Sequence, residues 1–123
     1  MTKQVLIVDD SPTMRMSVKN TLEMGKYRVS VATNGFEALA QLEQGLVPSL
    51  IITDINMPGM TGFELIPKIK MMHKLRFVPI LTLTTESDPK KRDQGRAVGA
   101  TGWLVKPVSA EDLLAVIQRV VPA

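Results

Sequence analysis

Val5-Leu6-Ile7-Val8-Asp9-Asp10-Ser11-Pro12 is the stretch on which the fold turns. Four apolar residues without alternation read as a strand buried on both faces. Ser11-Pro12 then reads as a helix N-cap with proline at the first helical position. Moving outward, Leu50–Ile52, Val78–Leu83 and Trp103–Val105 are further continuous apolar runs separated by helix-length segments. Tyr27–Thr33 alternates instead, Val29 and Val31 facing one way and Arg28 and Ser30 the other, the pattern of an edge strand, whereas continuous runs suit the sheet centre.

The helix starts are punctuated as clearly. Asp88-Pro89 repeats the Ser11-Pro12 device, while Asn34 with Glu37, Thr61 with Glu64 and Ser109 with Asp112 have capping-box spacing, strict only for the Thr61 pair. Gly25, Gly45 and Gly99 fall where helices should stop. Pro67, about two turns into the third helix, predicts a kink or a local bend. Strand then helix, five times over, predicts a (βα)5 three-layer α/β sandwich with a doubly wound parallel sheet.

Composition bounds the rest. The 123 residues, 45% hydrophobic and 22% charged, suit one domain over 1–123 and leave no room for a second of ordinary size. No apolar run reaches the roughly 18 residues of a membrane span. The amino-terminal apolar run is too short for a signal peptide. A cytoplasmic protein is therefore expected. With no cysteine and only His73, thiolate chemistry and histidine or cysteine zinc sites are excluded. The net charge of +3 is a mild excess, and one Trp, one Tyr and three Phe offer few rings for stacking bases, so nucleic-acid binding is not expected.

Parallel strands would carry Asp9, Asp10 and Asp54 to one carboxyl edge, joined there by Thr84 after the fourth strand and Lys106 after the fifth. Each has an ordinary reading as a cap, turn or loop residue. Together, three carboxylates that repel one another require a cation. All-oxygen ligands indicate a hard ion such as Mg2+. A hydroxyl, a fixed ammonium and a divalent-metal seat around one point suit a phosphoryl group, with Asp54 as the nucleophile that carries it.

Val8-Asp9-Asp10-Ser11, Asp54-Ile55-Asn56-Met57-Pro58-Gly59-Met60-Thr61-Gly62, Thr84-Thr85-Glu86 and Lys106-Pro107 resemble, in order and spacing, the receiver domain of two-component response regulators. The likeness covers essentially the whole chain and is nearest to the stand-alone chemotaxis-type receivers. It implies the flavodoxin-like strand order 2-1-3-4-5. It implies that Asp54 accepts the phosphoryl group of a histidine kinase phosphohistidine. Asp10 and Asp54 would bind Mg2+ directly, Asp9 through water and Asn56 through its backbone carbonyl. Lys106 would pair with the phosphoryl oxygens, Thr84 would move to hydrogen-bond them, and Trp103 would be the switch aromatic, bulkier than the family's usual Tyr or Phe. Asn56 and Glu86 stand where such domains tune phosphoryl lifetime, and the Lys106-Pro107 peptide is expected to be cis.

The resemblance further implies a monomeric switch without an output domain of its own, acting through its α4-β5-α5 face on the flagellar switch or another target. Lys90, Lys91, Arg92 and Arg96 make that fourth helix basic and suit an acidic partner segment. A phosphorelay shuttle is the competing role. A Mg2+-dependent phosphohydrolase is disfavoured because Asn56 stands where an Asp-x-Asp site has its second acid, so an enzyme in the metabolic sense is not expected. His73 is expected on the surface, far from Asp54. Met14 belongs with the core positions Val18 and Leu22, while Met16, Met24, Met57, Met60, Met71 and Met72 are candidates for a partly exposed partner surface.

Overall fold

The computed structural model describes residues 2–123. Strands β1 (Gln4–Val8), β2 (Arg28–Ala32), β3 (Leu50–Thr53), β4 (Ile80–Thr84) and β5 (Gly102–Val105) alternate with helices α1 (Pro12–Met24), α2 (Gly35–Glu43), α3 (Gly62–Lys70), α4 (Pro89–Val98) and α5 (Ala110–Val120). A short 3-10 turn over His73–Leu75 follows α3. All strand pairs are parallel, in the order β2-β1-β3-β4-β5. Two short strands of the central pair meet as Val8 against Thr53, so both chains leave the sheet side by side.

Both faces of the sheet are covered, which explains the continuous apolar runs. Leu6, Val8, Ile51 and Ile80 pack with α2 and α3 on one side, through Leu42, Leu65, Ile66 and Ile69. Val5, Ile7, Ile52 and Leu81 pack on the other with α1 and α5, through Val18, Leu22, Leu113 and Ile117. Each fully buried side chain of this size contributes about 1.5–3 kcal/mol.

All five expected caps form: Ser11, Asn34, Thr61, Asp88 and Ser109 each accept a hydrogen bond from a first-turn backbone N–H, and Thr61 with Glu64 closes a complete capping box. Gly45 and Gly99 are left-handed, at φ 109° and 116°. Gly25 is not, its φ being −83°; the left-handed residue is Lys26. Gly25 serves close approach instead, since a Cβ there would lie 2.6 Å from Leu114 Cδ2 of α5.

The fifth run is continuous yet stands at an edge, as the order 2-1-3-4-5 implies, so edge position leaves no mark in its pattern. Two further expectations are corrected. Tyr27 precedes β2, is buried, and donates its hydroxyl to the Val121 carbonyl at 2.6 Å, tying the α1–β2 turn to the end of α5. Helix α3 includes Pro67, and its neighbours Ile66 and Ile69 are fully buried against the sheet. Met57 and Met60 are core residues, anchoring the β3–α3 loop beside Leu65, while Met16, Met24 and Met71 are exposed. His73 is exposed at the amino edge, beyond the end of α3.

Candidate functional site

The carboxyl ends of β1 and β3 build the site. Asp9 N–H donates to Ala32 and Asp54 N–H to Val8, so each aspartate keeps the strand register for one residue past its strand. Adjacent parallel strands thereby place the two carboxylates together, and Asp10 follows at the mouth. Asp9 and Asp54 are buried and Asp10 is exposed; one carboxylate oxygen from each lies within 4.8 Å of the others. Asp9 Oδ1 accepts from Ser11 N–H at 2.9 Å, and Asp54 Oδ1 from Ile55 N–H at 2.6 Å and Asn56 N–H at 3.4 Å.

Lys106 reaches in from the far side of the sheet. Its backbone N–H donates to the Thr84 carbonyl at 2.8 Å, and the Lys106-Pro107 peptide is cis, as expected. Its ammonium stands 3.0 Å from Asp9 Oδ2 and 3.3 Å from Asp54 Oδ2. These are the only ion pairs among the described residues. Burial acts to lower the lysine pKa, but the hydrogen bond to Asp9 and the charges of Asp54 and Asp9 outweigh it, so Lys106 is held above its ordinary value. It is a fixed cation at any physiological pH. Three carboxylates still face one ammonium. That residual negative charge, with oxygen donors only, fits a hard divalent cation such as Mg2+.

Thr84 is fully buried at the end of β4, between Asp54 and Lys106 in strand order. Its hydroxyl oxygen accepts from Glu86 N–H at 3.2 Å. The Glu86 carbonyl in turn accepts from the Trp103 indole N–H at 3.0 Å. One residue of the β4–α4 loop therefore joins the strand-end hydroxyl to the edge aromatic through its two peptide groups. Trp103 is half-buried, stacked on Phe63 with centroids 6.2 Å apart, and Lys91 Nζ lies 5.7 Å over the Phe63 ring. Gly95 makes room for the indole, since a Cβ there would sit 2.6 Å from its ring.

The expected residues thus divide into groups. Asp9, Asp10, Asp54 and Lys106 converge at one point, and Thr84, Glu86 and Trp103 form a hydrogen-bonded chain beside it. Asn56 is exposed on the loop after Asp54 and touches it through its backbone. Lys90, Lys91 and Arg92 lie exposed along α4. Sequence reasoning missed Arg15, whose guanidinium donates to the Asp9 carbonyl at 2.7 Å and braces the acidic turn; its place one turn after Ser11 is the only signal. It also missed Phe63 and Gly95, which create the seat of Trp103 and have no mark of their own in one sequence.

Comparison with known proteins agrees with this geometry. Residues 5–118 match the model of the response regulator receiver domain. The chain is 37% identical over 121 residues to the chemotaxis protein CheY of Pseudomonas aeruginosa, covering 95% of this chain and 94% of that one. It is 37% identical over 118 residues to the two-component response regulator ORR6 of Oryza sativa subsp. japonica, covering 94% of this chain and 69% of that one. Among solved structures, the Vibrio cholerae chemotaxis protein CheY4 superposes with a TM-score of 0.93 at 48% identity, covering 98% of this chain and all of that one. No helix among the described residues is long and apolar enough to cross a membrane. Four strand ends that gather three aspartates, a threonine and a lysine, on a chain matched almost throughout, leave one conclusion: the protein belongs to the response regulator receiver domain family.

Proposed function

We propose that this receiver is a phosphorylation-controlled interaction switch in the cytoplasm, with Asp54 as phosphoacceptor. The observation that carries the reading is Lys106 Nζ at 3.3 Å from Asp54 Oδ2, beside two further carboxylates. A carboxylate oxygen of Asp54 attacks the phosphorus of a kinase phosphohistidine. The O–P bond forms as the N–P bond breaks, and the imidazole leaves with its electron pair. Lys106 neutralises charge on the transferring phosphoryl oxygens. Asp9, Asp10, Asp54 and the Asn56 carbonyl would hold Mg2+, which would supply the remaining positive charge there. Water later attacks phosphorus and releases inorganic phosphate, Asn56 and Glu86 flanking its approach.

Readout follows from Thr84. Its oxygen already accepts from Glu86, so its proton is free to be donated to a phosphoryl oxygen. A Thr84 that turns toward Asp54 pulls on the Glu86 peptide and, through its carbonyl, on Trp103 and α4. The α4-β5-α5 face, carrying exposed Lys90, Lys91 and Arg92, then presents a changed surface to an acidic target segment. The likeness to chemotaxis proteins favours the flagellar switch as target.

Intact mass after acetyl phosphate with Mg2+ tests the acceptor. One labile phosphoryl group on the wild type, absent in Asp54→Asn and absent with EDTA, is expected; an adduct surviving in Asp54→Asn would refute the assignment.

A further inference from the structure

The amino edge of the sheet, opposite Asp54, carries a feature that the switch does not use. Between the end of α2 and the segment following α3 lies a groove of about 420 Å3. Leu42, Leu46, Val47, Met72 and Leu75 give it an apolar lining, and Glu43, His73 and Lys74 line it with polar groups. Val47 is 50% exposed there. The adjoining segment also leaves Met71 and Phe77 at 84% and 88% exposed, the two most exposed large apolar residues described. Single exposed apolar residues are ordinary; a cluster of them around a concavity marks an interaction site.

The same segment is strongly basic. Lys68, His73, Lys74 and Arg76 are exposed, and none is in an ion pair among the described residues. Lys68 and Lys70 have a local reason, since cations in the last turn of α3 oppose its dipole. Lys74 and Arg76 lie beyond the helix and have no such duty. Lys70 acts as a staple, donating to the Arg76 and Val78 carbonyls at 3.3 and 2.7 Å. Leu75 is buried, and its N–H donates to the Met72 carbonyl at 2.9 Å. The wall of the groove is therefore fixed before any partner arrives.

We propose that this groove docks an acidic, amphipathic segment of a partner protein. Apolar side chains of that segment enter between Val47 and Met72, and its carboxylates meet Lys74, Arg76 and Lys68. Glu43 on the α2 wall directs the carboxylates to the α3 side. A second copy of this chain is a poor occupant, because a two-fold contact would set the same cations against each other. An anionic membrane would engage Met71 and Phe77 but offers no protruding side chain to fill a concavity. Lying at the edge opposite the phosphoacceptor, the groove holds its partner in both phosphorylation states.

The test is a nuclear magnetic resonance titration of the 15N-labelled protein with a peptide of about 15 residues, Leu at every third or fourth position and Glu between. The same peptide with Lys for Glu and phosphatidylserine vesicles form the other arms. The acidic peptide is expected to move the amide resonances of Val47, Met72 and Lys74, and the Lys peptide to leave them in place. Lys74→Glu with Arg76→Glu should weaken binding by about ten-fold or more with an unchanged urea midpoint, and beryllofluoride with Mg2+ should leave it within about two-fold. The proposal is overturned if the acidic peptide leaves these resonances in place or moves those of α4 instead. It is equally overturned if the charge-reversed variant binds as well as the wild type, or if vesicles move the groove resonances and the peptide does not.

Discussion

The ends of β1 and β3 and the ends of β4 and β5 share one edge of one sheet, yet they are held in different ways. Asp9 and Asp54 are fixed by backbone: each stays in strand register, each carboxylate accepts a main-chain N–H, and Gly62 is pressed against the Asp54 peptide. Thr84, Glu86 and Trp103 are joined by two single hydrogen bonds across a loop, and Trp103 rests against the side chain of Phe63 and the bare backbone of Gly95. On the proposed function, charge would be received where nothing can give way and read where little needs to. A switch requires that division, because a site that shifted with its ligand would lose its geometry and a readout fixed by backbone could not respond.

Two glycines probe the contrast most sharply. A Cβ on Gly62 would lie 2.6 Å from the Asp54 carbonyl oxygen and 2.9 Å from Ile55 Cα. Backbone cannot step aside cheaply, so Gly62→Ala should cost about 3 kcal/mol in urea unfolding, at the upper end of overpacking costs, and slow phosphorylation. A Cβ on Gly95 clashes with the Trp103 ring alone, Phe63 lying at an ordinary 3.9 Å. Gly95→Ala should cost about 1 kcal/mol, leave phosphorylation by acetyl phosphate intact and alter Trp103 fluorescence. Equal costs for the two variants would dissolve the distinction.

Lys106→Met removes the ammonium that pairs with both Asp9 and Asp54. Asp9 and Asp54 then face each other uncompensated, and Mg2+ binding should tighten by at least about five-fold, the effect of one unit charge at about 4 Å even in water-like dielectric. Isothermal titration calorimetry reads this directly, and unchanged affinity would mean that the ammonium does not compete with the metal for the same carboxylates.

The smallest effect is with pH. Lys106 titrates above its ordinary 10.5 when folded, and burial raises Tyr27 above its ordinary 10.0. A raised folded pKa contributes stability that is complete below the ordinary value and lost as pH rises through the folded one. Stability should therefore fall above about pH 10. Lys70, lowered by burial, works in the opposite sense and softens the fall. Tyr27→Phe should lose about 1 kcal/mol at neutral pH with its hydrogen bond to Val121, and show a shallower alkaline decline in urea midpoints.

The fixed half was legible in the sequence and the responsive half was not, for a physical reason. Strand-end aspartates, caps and the Lys106-Pro107 pair are local signals, and parallel topology alone brings them together. Once the family resemblance supplied the strand order, the convergence of Asp9, Asp10, Asp54 and Lys106 needed no further information. The seat of Trp103 depends instead on Phe63 from α3 and Gly95 from α4, a pairing of shapes across the fold with no signature in either segment. Met57 and Met60 misled for a related reason: in a polar, glycine-containing loop they look exposed, but the loop folds back and buries them under α2, where Gly35 is bare enough to receive Met60.

The central claim is that a charge change at Asp54 travels through Thr84 and the Glu86 peptide to Trp103. The most direct test is Trp103 fluorescence on adding beryllofluoride with Mg2+, in the wild type and in Thr84→Ala, each checked for ligand uptake by fluorine resonance. Both proteins should bind, and only the wild type should change its emission. An equal emission change in Thr84→Ala would show that the signal reaches the indole by another route and would contradict the account.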